Sequence, residues 1–600
     1  MRGSAGFVRT ERVVLYTEDD PLVLASGRTL GPVEVAYETY GTLSPERDNA
    51  IFVCHALTGD AHAAGHHGNP ERPGWWDNLI GPGKALDTDR FFVVCPNLLG
   101  GCQGTTGPLS ADPATGRPYG MDFPMLQMAD FVTVHRRLLR HLGVDRLHAA
   151  VGGSLGGMQV LQWALDAPEE VANAVVIAAS SRLTAQNIAF SAVAREAIMR
   201  DPDFQGGEYV GTDRAPKLGL AVARMMAHIT YLSEEAMSEK FGRRHQADDS
   251  GDVPAENRMG LGVDFQVESY LNHQGETFLD RFDALSYLYL TRVMDYFDPF
   301  ADPDAAGRIA KGGTHFLVLS FDSDWRFDTS HSRRIVRVLE HNRVPVTFRE
   351  IRSPWGHDSF LLEVPGYHES IRAFLDRNGA GPRPRAAGAR VRTASRRYPN
   401  GTITGRPDLD IVAGLVPDGS RVLDLGCGQG DLLALLTESR GCTGTGVEID
   451  PEAVLASIGR GVPVVEMDID TELDEFADAS YDVVVMSQTL QATRRPAEVL
   501  RQIRRIGDRC IVSVPNFGLW KHRVGLLLNG RMPVSRELPH PWHETPNIHL
   551  STLADLEALF AGLSLTVEQR ILLDEQAEPM RSSLAANLRA GAAIYVLRVP

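Results

Sequence analysis

Between Asn378 and Arg397 the chain reads NGAGPRPRAAGARVRTASRR, a run of Gly, Ala, Pro and Arg with almost no large apolar side chain. Such a stretch cannot bury enough surface to offset the entropy lost on ordering it. It predicts a flexible basic linker over 379–397, so every core must be built on one side of it or the other. A solvated tether is the plainer reading; a docking strip for an acidic surface or a phosphate-bearing ligand is the alternative. The length agrees with the division, because 600 residues exceed what one hydrophobic core of about 150 residues per domain organises. Residues 1–378 and 398–600 are expected to fold separately.

Composition narrows the class. Apolar residues at 43% and charged residues at 23% are globular values. With 77 acidic against 60 basic side chains, the net charge of −17 is a poor footprint for a polyanion, which argues against a nucleic-acid partner. Six cysteines, none in a CxxC pair, suit a reducing compartment. No window approaches the 18 or so apolar residues of a membrane span, and the first residues carry no apolar signal core, so a cytoplasmic protein without membrane contact is expected.

Before the linker, short β-branched runs recur at 50–54, 91–95, 147–151, 175–179, 316–321 and 346–351. They are too apolar on both faces for a half-exposed antiparallel sheet, and helical patterns such as 131–142 and 158–165 separate several of them. This predicts an α/β fold with a parallel sheet. From about 181 to 300 strand signals stop and helical patterns dominate, which predicts a helical lid inserted over the sheet. After the linker the alternation resumes: strands at 422–425, 445–448, 462–467, 481–486 and 510–514, with helices at 431–436 and 451–458. A second doubly wound, Rossmann-like sheet is expected there.

The segment AAVGGSLGGMQ ends a strand and opens a helix, with glycines two before and two after Ser154. That arrangement permits a strained turn that lifts a serine hydroxyl above a sheet at a helix N-terminus, although a plain Gly-rich turn reads the same way in isolation. A serine nucleophile needs a base, and the base an orienting carboxylate. Asp324 follows the run 316–321 and His357 follows 346–351, in the chain order this architecture uses. Asp322 competes with Asp324, and a lone histidine is more often structural. The oxyanion donors would be backbone N–H groups at Leu155 and at Leu57, in the loop after 50–54.

At this point HALTGDAHAAG at His55, PGWWDNLIGPGKALDT at Pro73, NLLGGCQGTTGP at Asn97, GGSLGGMQ at Gly152, ARMMAHITYLS at Ala223 and GHDSFLL at Gly356 resemble the homoserine O-acyltransferase (MetX) family. The resemblance spans 1 to about 378. It implies an α/β-hydrolase fold with a helical lid, a Ser154, Asp324, His357 triad, and ping-pong transfer of an acyl group from acyl-CoA to the hydroxyl of L-homoserine. No cofactor beyond the acyl-CoA co-substrate is implied, and a homodimer through the lid is. Arg224 and Tyr231 lie seven apart on a helical pattern and so share a face. A guanidinium suits the amino acid's carboxylate and Asp358 its ammonium, the use the family makes of these positions; a structural ion pair is the plainer reading of each. HALTGD and GGCQGTTGP resemble the acetyl-using branch, whereas Arg326 in SDWRF stands where succinyl-using relatives carry an arginine. On balance the sequence favours acetyl-CoA, with succinyl-CoA as the alternative and hydrolysis as the rival chemistry.

His55, His62, His66 and His67 invite a zinc reading. Nearby glycines and the lack of a glutamate partner argue for loop packing, and no metal is expected.

In the second segment RVLDLGCGQGD joins a strand to a helix, with Asp424, Gly426, Gly428 and Gly430 forming the turn and Glu448 at the end of the next strand, placed for ribose hydroxyls. The pattern resembles class I S-adenosylmethionine methyltransferases, where Asp468 would sit near the adenine; a dinucleotide-binding Rossmann unit is the competitor. VLDLGCGQGDLL, GVEID, MSQTLQATRRPAEVLRQ, VSVPNFGLWKHR and GRMPVSRELPHPWHETPNIHLST resemble MetW, a methionine-biosynthesis family. No residue there announces a methyl-transfer base. A module that activates or regulates the acyltransferase in cis is therefore favoured over a methyltransferase, with S-adenosylmethionine as a possible ligand.

Overall fold

The computed structural model describes residues 3–246, 261–377, 406–535 and 538–599. The chain divides into two compact units, Met1–Val344 with Arg349–Gly381 and Pro345–Phe348 with Pro382–Pro600; the stretch 378–405, and with it the expected linker 379–397, lies outside the described residues.

In the first unit the strands are β1 (Glu11–Tyr16), β2 (Leu22–Val23), β3 (Thr29–Leu30), β4 (Val33–Tyr40), β5 (Ala50–Cys54), β6 (Phe92–Pro96), β7 (Leu147–Gly153), β8 (Val171–Ile177), β9 (His315–Phe321) and β10 (Val346–Ile351). The main sheet runs β1-β4-β6-β5-β7-β8-β9-β10, and β2 pairs with β3 as a separate hairpin. From β6 to β9 the pairings are parallel. Every residue of β5 and β7 is buried, as a sheet covered on both faces requires. The expectation of a parallel sheet is corrected at one edge, where β4 pairs antiparallel with β6 and β1 antiparallel with β4. The sequence VEVAYETY hides β4 because Glu38 and Thr39 interrupt the apolar run while the strand remains largely buried.

The helix Leu155–Asp166 follows β7 and is buried along most of its length, with Met158, Leu161 and Trp163 fully enclosed. Over 181–300 the described residues form the helices Ala185–Met199, Lys217–Tyr231, Glu234–Lys240, Gln266–Phe278 and Ala284–Asp295, with no strand among them; 247–260 lies outside the described residues.

The second unit contains β11 (Arg421–Leu425), β12 (Thr443–Glu448), β13 (Val464–Glu466), β14 (Tyr481–Ser487), β15 (Gly507–Pro515), β16 (Thr566–Leu573) and β17 (Ala592–Arg598). Its strand order is β13-β12-β11-β14-β15-β17-β16. The first five are parallel. The doubly wound expectation is again corrected at the edge, where β17 is antiparallel to β15 and β16 to β17. One core face joins Val412 from the helix Pro407–Leu415 and Val416 just after it to Leu432, Leu436, Val485, Ile511 and Ile594. No helix among the described residues is long and apolar enough to cross a membrane.

Candidate active site

Ser154 sits between β7 and the helix Leu155–Asp166 with φ 57° and ψ −122°. A non-glycine residue held at positive φ is strained, and the surrounding structure must enforce it. Close packing does so here. A Cβ at Gly156 would lie 2.0 Å from the carbonyl oxygen of Cys54, the last residue of β5, so only glycine lets the elbow approach that strand.

His357 and Asp324 are buried beside the serine. His357 Nε2 lies 2.9 Å from Ser154 Oγ, and His357 Nδ1 lies 2.7 Å from Asp324 Oδ2. The other carboxylate oxygen, Asp324 Oδ1, accepts the N–H groups of Arg326 and Phe327 at 3.0 and 2.9 Å. An acceptor-only carboxylate on Nδ1 requires the proton there, which leaves Nε2 to receive the serine proton. Phe327 meets the imidazole edge-on at 5.1 Å, and Tyr231 and Phe360 lie at 5.7 and 5.5 Å. Asp322 is turned elsewhere: its Oδ1 accepts the N–H of Ser353 at 2.9 Å.

The N–H groups of Leu57 and Leu155 have no acceptor among the described residues. For Leu155 this follows from its place as first residue of a helix. Two residues that the sequence did not single out for this purpose hold the two donors in place. Gln159 Nε2 donates to the carbonyls of His55 and Leu155 at 3.0 and 3.2 Å, and its Oε1 is held by His135 Nε2 at 2.9 Å. His55 Nε2 accepts the N–H of Leu98 at 3.1 Å, so its Nδ1 donates to Ala56 O at 2.7 Å. Burial lowers the His55 pKa and keeps the ring neutral in this role.

Arg224 and Tyr231 lie on one helix, Lys217–Tyr231. The Arg224 guanidinium is buried 4.8 Å from the Phe278 ring, and its Nε and Nη1 find no hydrogen-bond partner. Asp358 follows the histidine; burial raises its pKa, and the charges of His357 and Arg224 partly oppose that rise. Arg326 is also buried. It donates from Nη1 to Thr230 Oγ1 at 2.8 Å and lies 5.4 Å from the Tyr231 ring. Neither arginine has a carboxylate at ion-pair distance among the described residues. Of the four histidines weighed for zinc, the structure brings His62 and His67 together on Glu38, the glutamate whose apparent absence argued against a metal.

In the second unit Gly426, Gly428 and Gly430 all adopt positive φ. A Cβ on Gly426 would come within 2.5 Å of Thr489, whereas nothing lies within 4 Å of one on Gly428, where the turn is open. Glu448 Oε2 accepts the N–H of Gly428, and Oε1 those of Ile449 and Asp450, at 2.8 to 3.0 Å. Burial pushes Asp424 up to about 7. Asp468 Oδ1 accepts the N–H of Asp470 at 2.9 Å.

Comparisons with known proteins bear on both units. Residues 49–364 match the family model described as alpha/beta hydrolase fold, and 406–597 match methionine biosynthesis protein MetW. A protein of Nocardioides sp. strain JS614 named homoserine O-succinyltransferase is 62% identical over 62% of this chain and 100% of its own length. The bifunctional methionine biosynthesis protein MetXA/MetW of Rhodopirellula baltica is 39% identical over 98% of this chain and 94% of its own. The crystal structure of homoserine O-acetyltransferase from Bacillus anthracis superposes with a TM-score of 0.56 at 30% identity, covering 62% of this chain and 98% of that one. The likeness to that Rhodopirellula relative runs through both units, and the chain belongs to the MetXA/MetW family.

Proposed function

We propose that the segment 1–378 is a homoserine O-acyltransferase of methionine biosynthesis whose acyl donor is succinyl-CoA, and that the segment 398–600 activates it. Ser154 Oγ attacks the thioester carbonyl as its proton passes to His357 Nε2. The resulting oxyanion is received by the N–H groups of Leu57 and Leu155. Collapse breaks the C–S bond, and His357 returns the proton to the departing CoA sulfur. The homoserine hydroxyl then gives its proton to the same nitrogen and attacks the serine ester, which restores Ser154. The unbroken contact from Asp324 through His357 to Ser154 carries this reading.

The choice of donor rests on the two arginines. A buried guanidinium without a counter-charge is costly, and the site holds two of them. Homoserine brings one carboxylate, matched to Arg224, with Asp358 facing its ammonium. A succinyl group brings a second, matched to Arg326, whereas an acetyl group would leave that charge unanswered. The motifs HALTGD and GGCQGTTGP favour acetyl-CoA; the burial of Arg326 outweighs them here, and the Nocardioides relative carries the succinyltransferase name. Steady-state assay of the full-length protein with succinyl-CoA and acetyl-CoA side by side tests it, with transfer to homoserine exceeding hydrolysis. A higher kcat/KM for acetyl-CoA would reverse the assignment.

For the second segment, an activating role is supported by fusion, which holds the partners at high effective concentration. The open turn at Gly428 supports S-adenosylmethionine as its ligand. The carboxylate of Glu448 already accepts three N–H groups, which leaves about one acceptor position for a ribose hydroxyl. A methyltransferase is the second reading, and methyl transfer from labelled S-adenosylmethionine to an acceptor would support it. Exposed Leu218, Val222 and Ile229 on the helix Lys217–Tyr231 support a homodimer through the lid. A cytoplasmic location remains part of the proposal.

A further inference from the structure

Glu38 on β4 is fully buried, and four donors converge on it. Thr10 Oγ1 and His67 Nε2 reach Oε1 at 2.8 and 2.7 Å; Tyr40 Oη and His62 Nδ1 reach Oε2 at 2.9 and 3.0 Å. No lysine or arginine pairs with this carboxylate among the described residues, and the two imidazoles stand where a cationic side chain would otherwise be placed. Their rings stack with centroids 3.8 Å apart, and each turns a nitrogen to the same side chain. One carboxylate oxygen and two imidazole nitrogens thus lie within 4.8 Å of one another.

We infer that Glu38, His62 and His67 form a binding site for a divalent transition-metal ion, with zinc the best match to two imidazoles and one carboxylate. Magnesium and calcium prefer all-oxygen sets, whereas imidazole nitrogen selects zinc and its neighbours. Zinc bonds of about 2.0–2.1 Å in tetrahedral geometry hold ligand atoms about 3.3 Å apart. His67 Nε2 and His62 Nδ1 lie 2.7 and 3.0 Å from different oxygens of Glu38, and one ligand atom from each residue lies within 4.8 Å of the others, so small rotations of the side chains bring them to that spacing. As the ion takes the place of the ring protons now shared with Glu38, those protons are released to solvent and each ring ligates as neutral imidazole. The His67 side chain is 47% exposed, so this ring is free to adjust and leaves an approach for the ion and for a water in the fourth position. His62 and His67 belong to the loop that begins at His55 and carries Leu57, and the ion would fasten that loop to β4. His66 is not a ligand: its Nδ1 accepts the N–H of Gly68 at 3.2 Å, and its ring packs against Phe7.

The test uses the full-length protein, stripped of metal by a chelator and titrated with zinc chloride by calorimetry and with cobalt(II) by visible absorption. The expected result is one saturable equivalent per chain, ligand-field bands from nitrogen coordination, and a rise in Tm on adding zinc. His67→Ala should weaken binding by more than about 100-fold and abolish the bands, while His66→Ala leaves both unchanged. If His67→Ala does not fold, His67→Gln, which keeps a donor to Glu38, makes the same comparison. No saturable zinc binding by the wild-type protein, or equal affinity in the His67 variant, would overturn the inference and leave a buried hydrogen-bonded cluster only.

Discussion

The guanidinium of Arg326 lies 5.4 Å from the ring of Tyr231, which in turn lies 5.7 Å from the imidazole of His357. A guanidinium with no carboxylate at ion-pair distance among the described residues is thereby held one aromatic ring away from His357. If a succinyl carboxylate is its counter-charge, Arg326→Leu removes a buried ion pair from one substrate and nothing from the other. Losses of about 2–5 kcal/mol for such pairs place the fall in kcat/KM for succinyl-CoA at about 30-fold or more. Acetyl-CoA should change by only a few-fold, and parallel assays of the two donors check this.

Asp358 gives a pH signature. Burial raises its pKa, so it takes up a proton at a higher pH than an ordinary aspartate as the solution is acidified. If the carboxylate form receives the homoserine ammonium, as proposed, KM for homoserine should climb as pH falls through that raised value. In Asp358→Asn, KM should already be high and the climb should vanish. Measuring KM against pH for the two proteins separates this from a general loss of activity.

Gly156 offers a steric test of the oxyanion geometry. A methyl group there meets the Cys54 carbonyl at 2.0 Å and must push β5 and the Leu57 loop away from the elbow. Removing one oxyanion donor costs about 100- to 1000-fold in kcat, so Gly156→Ala should approach that loss together with a lowered Tm. Stopped-flow release of CoA from the donor alone, with circular dichroism to confirm the fold, measures the effect on the first step.

The Glu38 cluster should leave a mark on stability against pH in chelated protein. The pKa of Glu38 is lowered, so its contribution is full above the ordinary value of 4.5 and is lost as pH falls through the depressed one. The pKa of His62 is raised, so its contribution is full below 6.5 and is lost as pH rises through the raised value. The Tm difference between wild type and Glu38→Gln should therefore be greatest between 4.5 and 6.5 and shrink on either side. A thermal melt series across pH reads this directly.

Removing 398–600 tests activation in cis. Couplings between sites are commonly 5- to 150-fold, and the truncated protein should lose at least about fivefold in acyltransferase kcat/KM. Unchanged activity and unchanged KM for both substrates would separate the two functions.

Much of this was legible before any coordinates. The run at 50–54 is β5 with the same limits, because a strand buried on both faces announces itself as an uninterrupted apolar segment; 346–351 is β10 with the same limits although Thr347, Arg349 and Glu350 interrupt it. The elbow at Ser154, with Asp324 and His357 downstream, could be read because a strained turn needs small residues at fixed offsets. The antiparallel edges were illegible for a related reason. TVEQRILL in β16 is exposed over most of its length and carries no alternation to set it apart from a loop. Glu38 escaped notice because its histidines lie 24 and 29 residues away along the chain, and spacing rules see only neighbours. Gln159 read as one more helical residue, since nothing in the sequence reveals that its amide reaches back to His55.

The most direct test of the central claim is mass spectrometry of full-length protein mixed with succinyl-CoA in the absence of homoserine. The peptide containing Ser154 should gain one succinyl group as CoA is released, the adduct should disappear on adding homoserine, and Ser154→Ala should show none. Sustained formation of O-succinylhomoserine without any adduct at Ser154, or by the alanine variant at the wild-type rate, would contradict the account.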